Sequence, residues 1–164
     1  MKIISGINRG NRDILKCRTA AGSVFCGLLL TAAICWAGDY TDHGDGTVTD
    51  NNTGLMWQQE DDNISRNWGN ALNYCESLVL PPDGYNDWRL SNVRELQSIT
   101  EEDRAYPAID IVAFPGTNLS IYWTSTTSAM VPEGAWGVDF KDVTIYDDFS
   151  KEGSNYVRCV RGGQ

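Results

Sequence analysis

Apolar residues change their spacing twice along this chain, and the changes mark three stretches. In residues 39–58, short β-prone runs alternate with turn residues. The run at 40–42 leads into His43-Gly44-Asp45-Gly46; Thr47-Val48-Thr49 is followed by Asn51-Asn52-Thr53-Gly54, and then by Leu55-Met56-Trp57-Gln58. This pattern predicts an N-terminal β-meander, closed by the acidic loop 60–63. From Trp68 the spacing turns helical: Trp68, Ala71, Leu72, Cys75 and Leu78 share one side, with Ser65 or Asn67 as N-cap. Pro81-Pro82-Asp83-Gly84 stops that helix. Residues 86–90 are too few for a helix and read as extended. A second helix is expected over 91–100, capped by Ser91, with Val93, Leu96 and Ile99 inward.

After Pro107 the chain becomes β-rich, with strands expected at 121–125, 135–140, 143–146 and 156–161. Trp136, Val138 and Phe140 alternate with smaller or polar neighbours, as do Val157 and Cys159, which is the signature of strands that bury one side. Two helices lie between β segments, so the fold class is α+β.

The N-terminus adds a compartment. Lys2, Arg9, Arg12, Lys16 and Arg18 stand against the single acid Asp13, and residues 19–38 carry no charge. An apolar centre at 24–33 is followed by Cys35-Trp36-Ala37, small at the two positions a signal peptidase reads. The expectation is a signal peptide over 1–37 and one domain over 38–164. The uncharged stretch is barely long enough to span roughly 30 Å of hydrocarbon, so an uncleaved anchor is the alternative and the only predicted route to a membrane. Lipidation at Cys35 is opposed by the bulky Ile34 before it.

Cys17, Cys26 and Cys35 fall in that segment, which leaves Cys75 and Cys159 for the mature fold. In an oxidising compartment they are expected to form a disulfide between the first helix and the last strand, with two buried free thiols as the alternative. Removing the leader also sharpens the charge, to 8 basic against 21 acidic groups, a net of −13. Such a surface repels phosphate backbones, so nucleic acid is excluded as a partner.

Six segments in order carry a resemblance. They are Gly44-Asp45-Gly46-Thr47-Val48-Thr49-Asp50; Thr53-Gly54-Leu55-Met56-Trp57; residues 68–75; Asp87-Trp88-Arg89-Leu90 with Arg94-Glu95-Leu96; Tyr122-Trp123-Thr124-Ser125; and Val157-Arg158-Cys159-Val160-Arg161. Together they resemble the family named for the C-terminal domain of the Legionella collagen-like adhesin. The resemblance implies a C-type-lectin-like fold, with two helices on a twisted, mostly antiparallel sheet. It also implies an exported bacterial protein, secreted, periplasmic or on the cell surface, that binds rather than catalyses. The named domain is associated with glycosaminoglycan, a ligand this acidity opposes.

Candidate chemistry is sparse. Asp39, Asp42, Asp45 and Asp50 crowd one turn and are the candidate calcium ligands. Counted from Asp39, glycine falls at position 6 and an acid at 12, as in an EF-hand loop, but Thr41 and His43 occupy positions 3 and 5. A hairpin turn without cofactor is therefore expected. His43 is the only histidine and lacks a nucleophile context. A ligand surface is expected on the loops 126–134 and 146–155, with Asp147, Asp148, Lys151, Glu152, Asn155 and Tyr156 as its candidate residues. The function expected is an adhesion module for a polysaccharide or an extracellular protein, with self-association open. An exported hydrolase with an acidic cleft and a subunit of a surface assembly are the alternatives.

Overall fold

The computed structural model describes residues 39–80 and 84–162. The expected leader at 1–37 and the Pro81-Pro82-Asp83 stop lie outside the described residues. Within them the chain is mixed α+β, with two antiparallel sheets and two short helices. In order come β1 (Tyr40–Asp42), β2 (Thr47–Asp50), β3 (Met56–Gln58), α1 (Trp68–Ser77), β4 (Arg89–Leu90), α2 (Val93–Ser98), β5 (Ile121–Thr127), β6 (Gly134–Asp139), β7 (Ile145–Ser150) and β8 (Cys159–Arg161).

One sheet has the order β1-β2-β3-β8-β4, the other β5-β6-β7. The last strand is thus central in the first sheet. Val160 of β8 stands between Trp57 of β3 and Arg89 of β4, and Cys159 pairs with Leu90. The sheets meet where Tyr156 pairs with Tyr122 in a parallel bridge and Ser125 donates its N–H to the Ser91 carbonyl.

Strand alternation makes β8 the divider of the core. Val157 and Cys159 join Ala71, Cys75, Trp88, Leu90, Trp123 and Ala135 in one buried cluster. Val160 joins Trp57, Leu96, Ile99, Phe114, Tyr122 and Phe140 in the other. Cys75 on α1 and Cys159 on β8 form a disulfide with Cα atoms 5.5 Å apart, linking positions 84 apart in sequence.

Local chemistry moves three expected boundaries. Asn67 caps α1, accepting from the Asn70 N–H. The cap of α2 is Asn92, not Ser91: Ser91 is fully buried where its carbonyl ties the two sheets, so the helix begins one residue later. Asn92 and Glu95 then form a reciprocal capping box. The strand expected at 143–146 starts at Ile145, because Val143 adopts φ 66° in a turn held by the Asp142 carboxylate on Thr144. That strand continues to Ser150, so the first half of the loop expected at 146–155 is β7.

Candidate functional site

The acidic turn uses its carboxylates on its own backbone. Asp42 Oδ1 accepts from the Gly44 N–H at 2.7 Å. Asp45 Oδ1 accepts from the Thr47 hydroxyl at 2.6 Å and its N–H at 2.9 Å. Asp50, buried, accepts from the Asn52 N–H and the Thr53 hydroxyl. These bonds are those of Asx turns, and the Gly44 and Thr47 donors hold the Asp42 and Asp45 carboxyls below the ordinary value. Asp39 is exposed, and its carbonyl accepts from the Asn51 N–H. Among the described residues, no three His, Cys, Asp or Glu side chains are grouped to hold a metal ion. His43 is exposed, with Nε2 2.8 Å from the Thr49 hydroxyl.

The six candidate residues of the C-terminal loops separate into two groups. Asp147, Asp148 and Glu152 are exposed. Lys151, Asn155 and Tyr156 are fastened. The Lys151 ammonium donates to the Thr127 hydroxyl at 3.0 Å and the Pro132 carbonyl at 2.9 Å, and stands 4.3 Å above the Trp68 ring. Asn155 exchanges backbone bonds with Arg66. The Tyr156 ring lies 5.6 Å from that of Tyr122. Lys151 thus joins the foot of the β5–β6 hairpin, the end of β7 and the start of α1.

What remains open to a ligand at this end is the hairpin tip and β7. Met130 is 87 % exposed and Val131 42 %. Tyr146, Asp147 and Asp148 are consecutive exposed residues of β7, a strand that among the described residues pairs with β6 alone.

A buried polar centre lies between the sheets, built by residues that the sequence motifs contain but do not mark. Arg158 is fully buried. Its guanidinium donates to the carbonyls of Gln58 and Gln59 and to the Thr117 hydroxyl, and lies 3.6 Å from the Asp61 carboxylate. It sits 4.9 Å from the Phe114 ring centre, and among the described residues its Nε has no hydrogen-bond partner. The Tyr122 hydroxyl donates to Asp61 and accepts from the Asn118 N–H. Burial first, then the Asp61 charge against the opposing pull of Arg158, pushes the Tyr122 phenol far up, so it stays a donor. Apart from the Arg158 Nε, the polar groups of this centre are occupied by protein, and the centre ties the 58–61 segment, Thr117 and Asn118 to Arg158 and Tyr122. The one hint in the sequence was an arginine set among the apolar Val157, Cys159 and Val160, just before β8.

Elsewhere, burial lifts the Glu101 carboxyl above its ordinary value; Arg104 draws it down, and Asp110, Asp103 and Asp39 add to the rise. Glu101 is paired with Arg104, and Asp110 caps the N–H groups of Val112 and Ala113. These acids are committed to local structure.

A family model described as the Lcl C-terminal domain matches residues 46–161, and the chain belongs to that family, the one its motifs resemble. No curated protein matches the chain.

Proposed function

We propose that this chain is an exported, non-catalytic adhesion module with a C-type-lectin-like fold. It holds an extracellular polysaccharide or protein through the β5–β6 hairpin and β7. The observation that carries this reading is an exposed hairpin tip beside β7, the edge strand of its sheet among the described residues, on a frame clamped by a disulfide. Membership of the Lcl C-terminal domain family supports the adhesive role. The disulfide supports a secreted, periplasmic or surface location, where such bonds persist.

Glycan and protein arrays probed with the native protein, with and without calcium, test the proposal. The expected outcome is capture by a defined ligand, unchanged by calcium and with no turnover of chromogenic glycosides. Silence on every array together with glycoside hydrolysis would favour the exported hydrolase instead.

A further inference from the structure

We infer that the hairpin tip and β7 form one docking surface for a partner protein's peptide segment carrying apolar residues beside a run of Lys or Arg. This rests on the adhesion reading and names its ligand class.

The apolar part is the tip. Other large apolar side chains are exposed, Val112 at 75 % among them, but the tip of the hairpin is braced. Ser128 and Gly134 close its base, the Gly134 N–H reaches the Val131 carbonyl at 2.7 Å, and the Ser128 hydroxyl accepts from the Val131 N–H at 3.1 Å. Lys151 adds a backbone bond to the Glu133 carbonyl and its ammonium on Pro132. A loop already ordered costs little further entropy on binding, so Met130 and Val131 can serve as preset anchors.

The polar part is the edge. Asp147 and Asp148 are exposed on β7, and Glu133 is exposed at the hairpin foot. The Lys151 ammonium beside them is already engaged. Those partners are neutral, so Lys151 offsets one charge of the three acids, and the surface keeps a net negative charge next to an apolar tip.

Geometry narrows the occupant further. Gly137 pairs with Tyr146 and Ala135 with Phe149, so Trp136 alone opposes both Asp147 and Asp148. This bulge breaks the regular edge at the two acids, which blocks ladder-like strand addition. A second copy docking edge to edge would bring like charges together. A cationic segment read through its side chains meets neither obstacle, and the chain's negative field draws it in.

The test uses fluorescence anisotropy with the native protein and a labelled peptide of two leucines followed by a lysine run, at low and high salt. Comparison peptides carry Glu for Lys, or Ser for Leu. The lysine peptide should bind and the other two should not. Met130→Ser should weaken binding about fivefold, and Asp147→Asn with Asp148→Asn about tenfold. Two controls remove equivalent groups elsewhere: Glu102→Gln with Asp103→Asn, and Val112→Ser; each should change affinity less than about twofold. No binding of the lysine peptide, or equal losses in the controls, would overturn the inference. Capture of a polysaccharide by the parent and all variants alike would also overturn it, while leaving the adhesion reading standing.

Discussion

The five-stranded sheet is assembled from segments at opposite ends of the described chain, whereas β5, β6 and β7 are sequence neighbours joined by two turns. In the first sheet, β3 meets β8 only after both helices and the other sheet have been placed. Bringing such distant segments together carries a loop-closure cost that local pairing avoids. The fasteners follow that difference. The disulfide and the Arg158 centre both act on the last strand or the residue before it. The three-stranded sheet lacks the disulfide and joins the centre through Tyr122 of β5; its hairpin turns hold the rest, and among the described residues β7 keeps an open edge. A sheet joined from distant segments needs fasteners at its centre, while a sheet built from neighbouring strands is held by its own turns.

The sharpest way to break this contrast is to cut the fasteners. Replacing Cys75 and Cys159 together by alanine should lower unfolding free energy by about 4 kcal/mol, the cost of releasing so long a loop. Urea denaturation of the parent with and without reductant should show the same gap, and the double variant should no longer respond to reductant. Arg158→Met comes next. It leaves the Asp61 carboxylate buried without its cation and frees the carbonyls of Gln58 and Gln59, at a cost of about 3 kcal/mol. Adding Asp61→Asn should recover part of that loss. An unchanged urea midpoint in Arg158→Met would show that the centre does not hold the long-range sheet.

What could be read beforehand divides along the same line. Both helices, the α+β class and the cysteine pair were legible, because periodicity, caps and cysteine arithmetic are local or compositional signals. The extent of β7 was not, because Ile145-Tyr146-Asp147-Asp148-Phe149-Ser150 has the polarity of a loop; its pairing with β6 comes from the preceding turn and from Phe149 packing on Trp123. Lys151, Asn155 and Tyr156 looked available as ligands because sequence shows residue type and not engagement. Arg158 went unmarked for the opposite reason. Its partners come from the Gln58–Asp61 loop, Thr117 and Tyr122, which no window along the chain contains.

The local sheet has its own weak point. A Cβ on Gly137 would stand 2.7 Å from Ile121 Cγ2, 3.1 Å from Phe149 Cδ2 and 3.3 Å from the Tyr122 carbonyl. Ile121 Cγ2 sits on a branched carbon next to the backbone, so it yields only by an unfavourable χ1 rotation or a shift of β5. Gly137→Ala should therefore cost about 2 kcal/mol, read by urea denaturation, and Ile121→Ala added to it should restore part of the loss. Because the clash is confined to β5, β6 and β7, hydrogen exchange should quicken there and leave β8 protected.

The smallest effect sharpens the contrast at the helix that faces the local sheet. Arg89 of β4 donates two bonds of 2.7 Å to Glu95 of α2, and Glu95 also accepts from the Asn92 N–H. Burial alone would push this carboxyl up; the Arg89 bonds, the Asn92 N–H and the guanidinium charge outweigh it and hold it below its ordinary value of 4.5. The unfolded chain thus takes up the proton first as pH falls. The contribution of Glu95 is complete above its ordinary value and is lost as pH drops through the lower folded one. Glu95→Gln should cost about 1 kcal/mol at neutral pH, chiefly from the lost charged pair with Arg89 because Gln can still accept from the Asn92 N–H, and should make stability less steep below pH 4.5. Glu101 runs the other way: its raised carboxyl favours the folded state on the acid side and loses that advantage as pH rises past 4.5. Glu101→Gln should therefore steepen the acid decline where Glu95→Gln flattens it. Denaturation series across that range that gave both variants the same slope change would refute the assignment of opposite surroundings to these two acids.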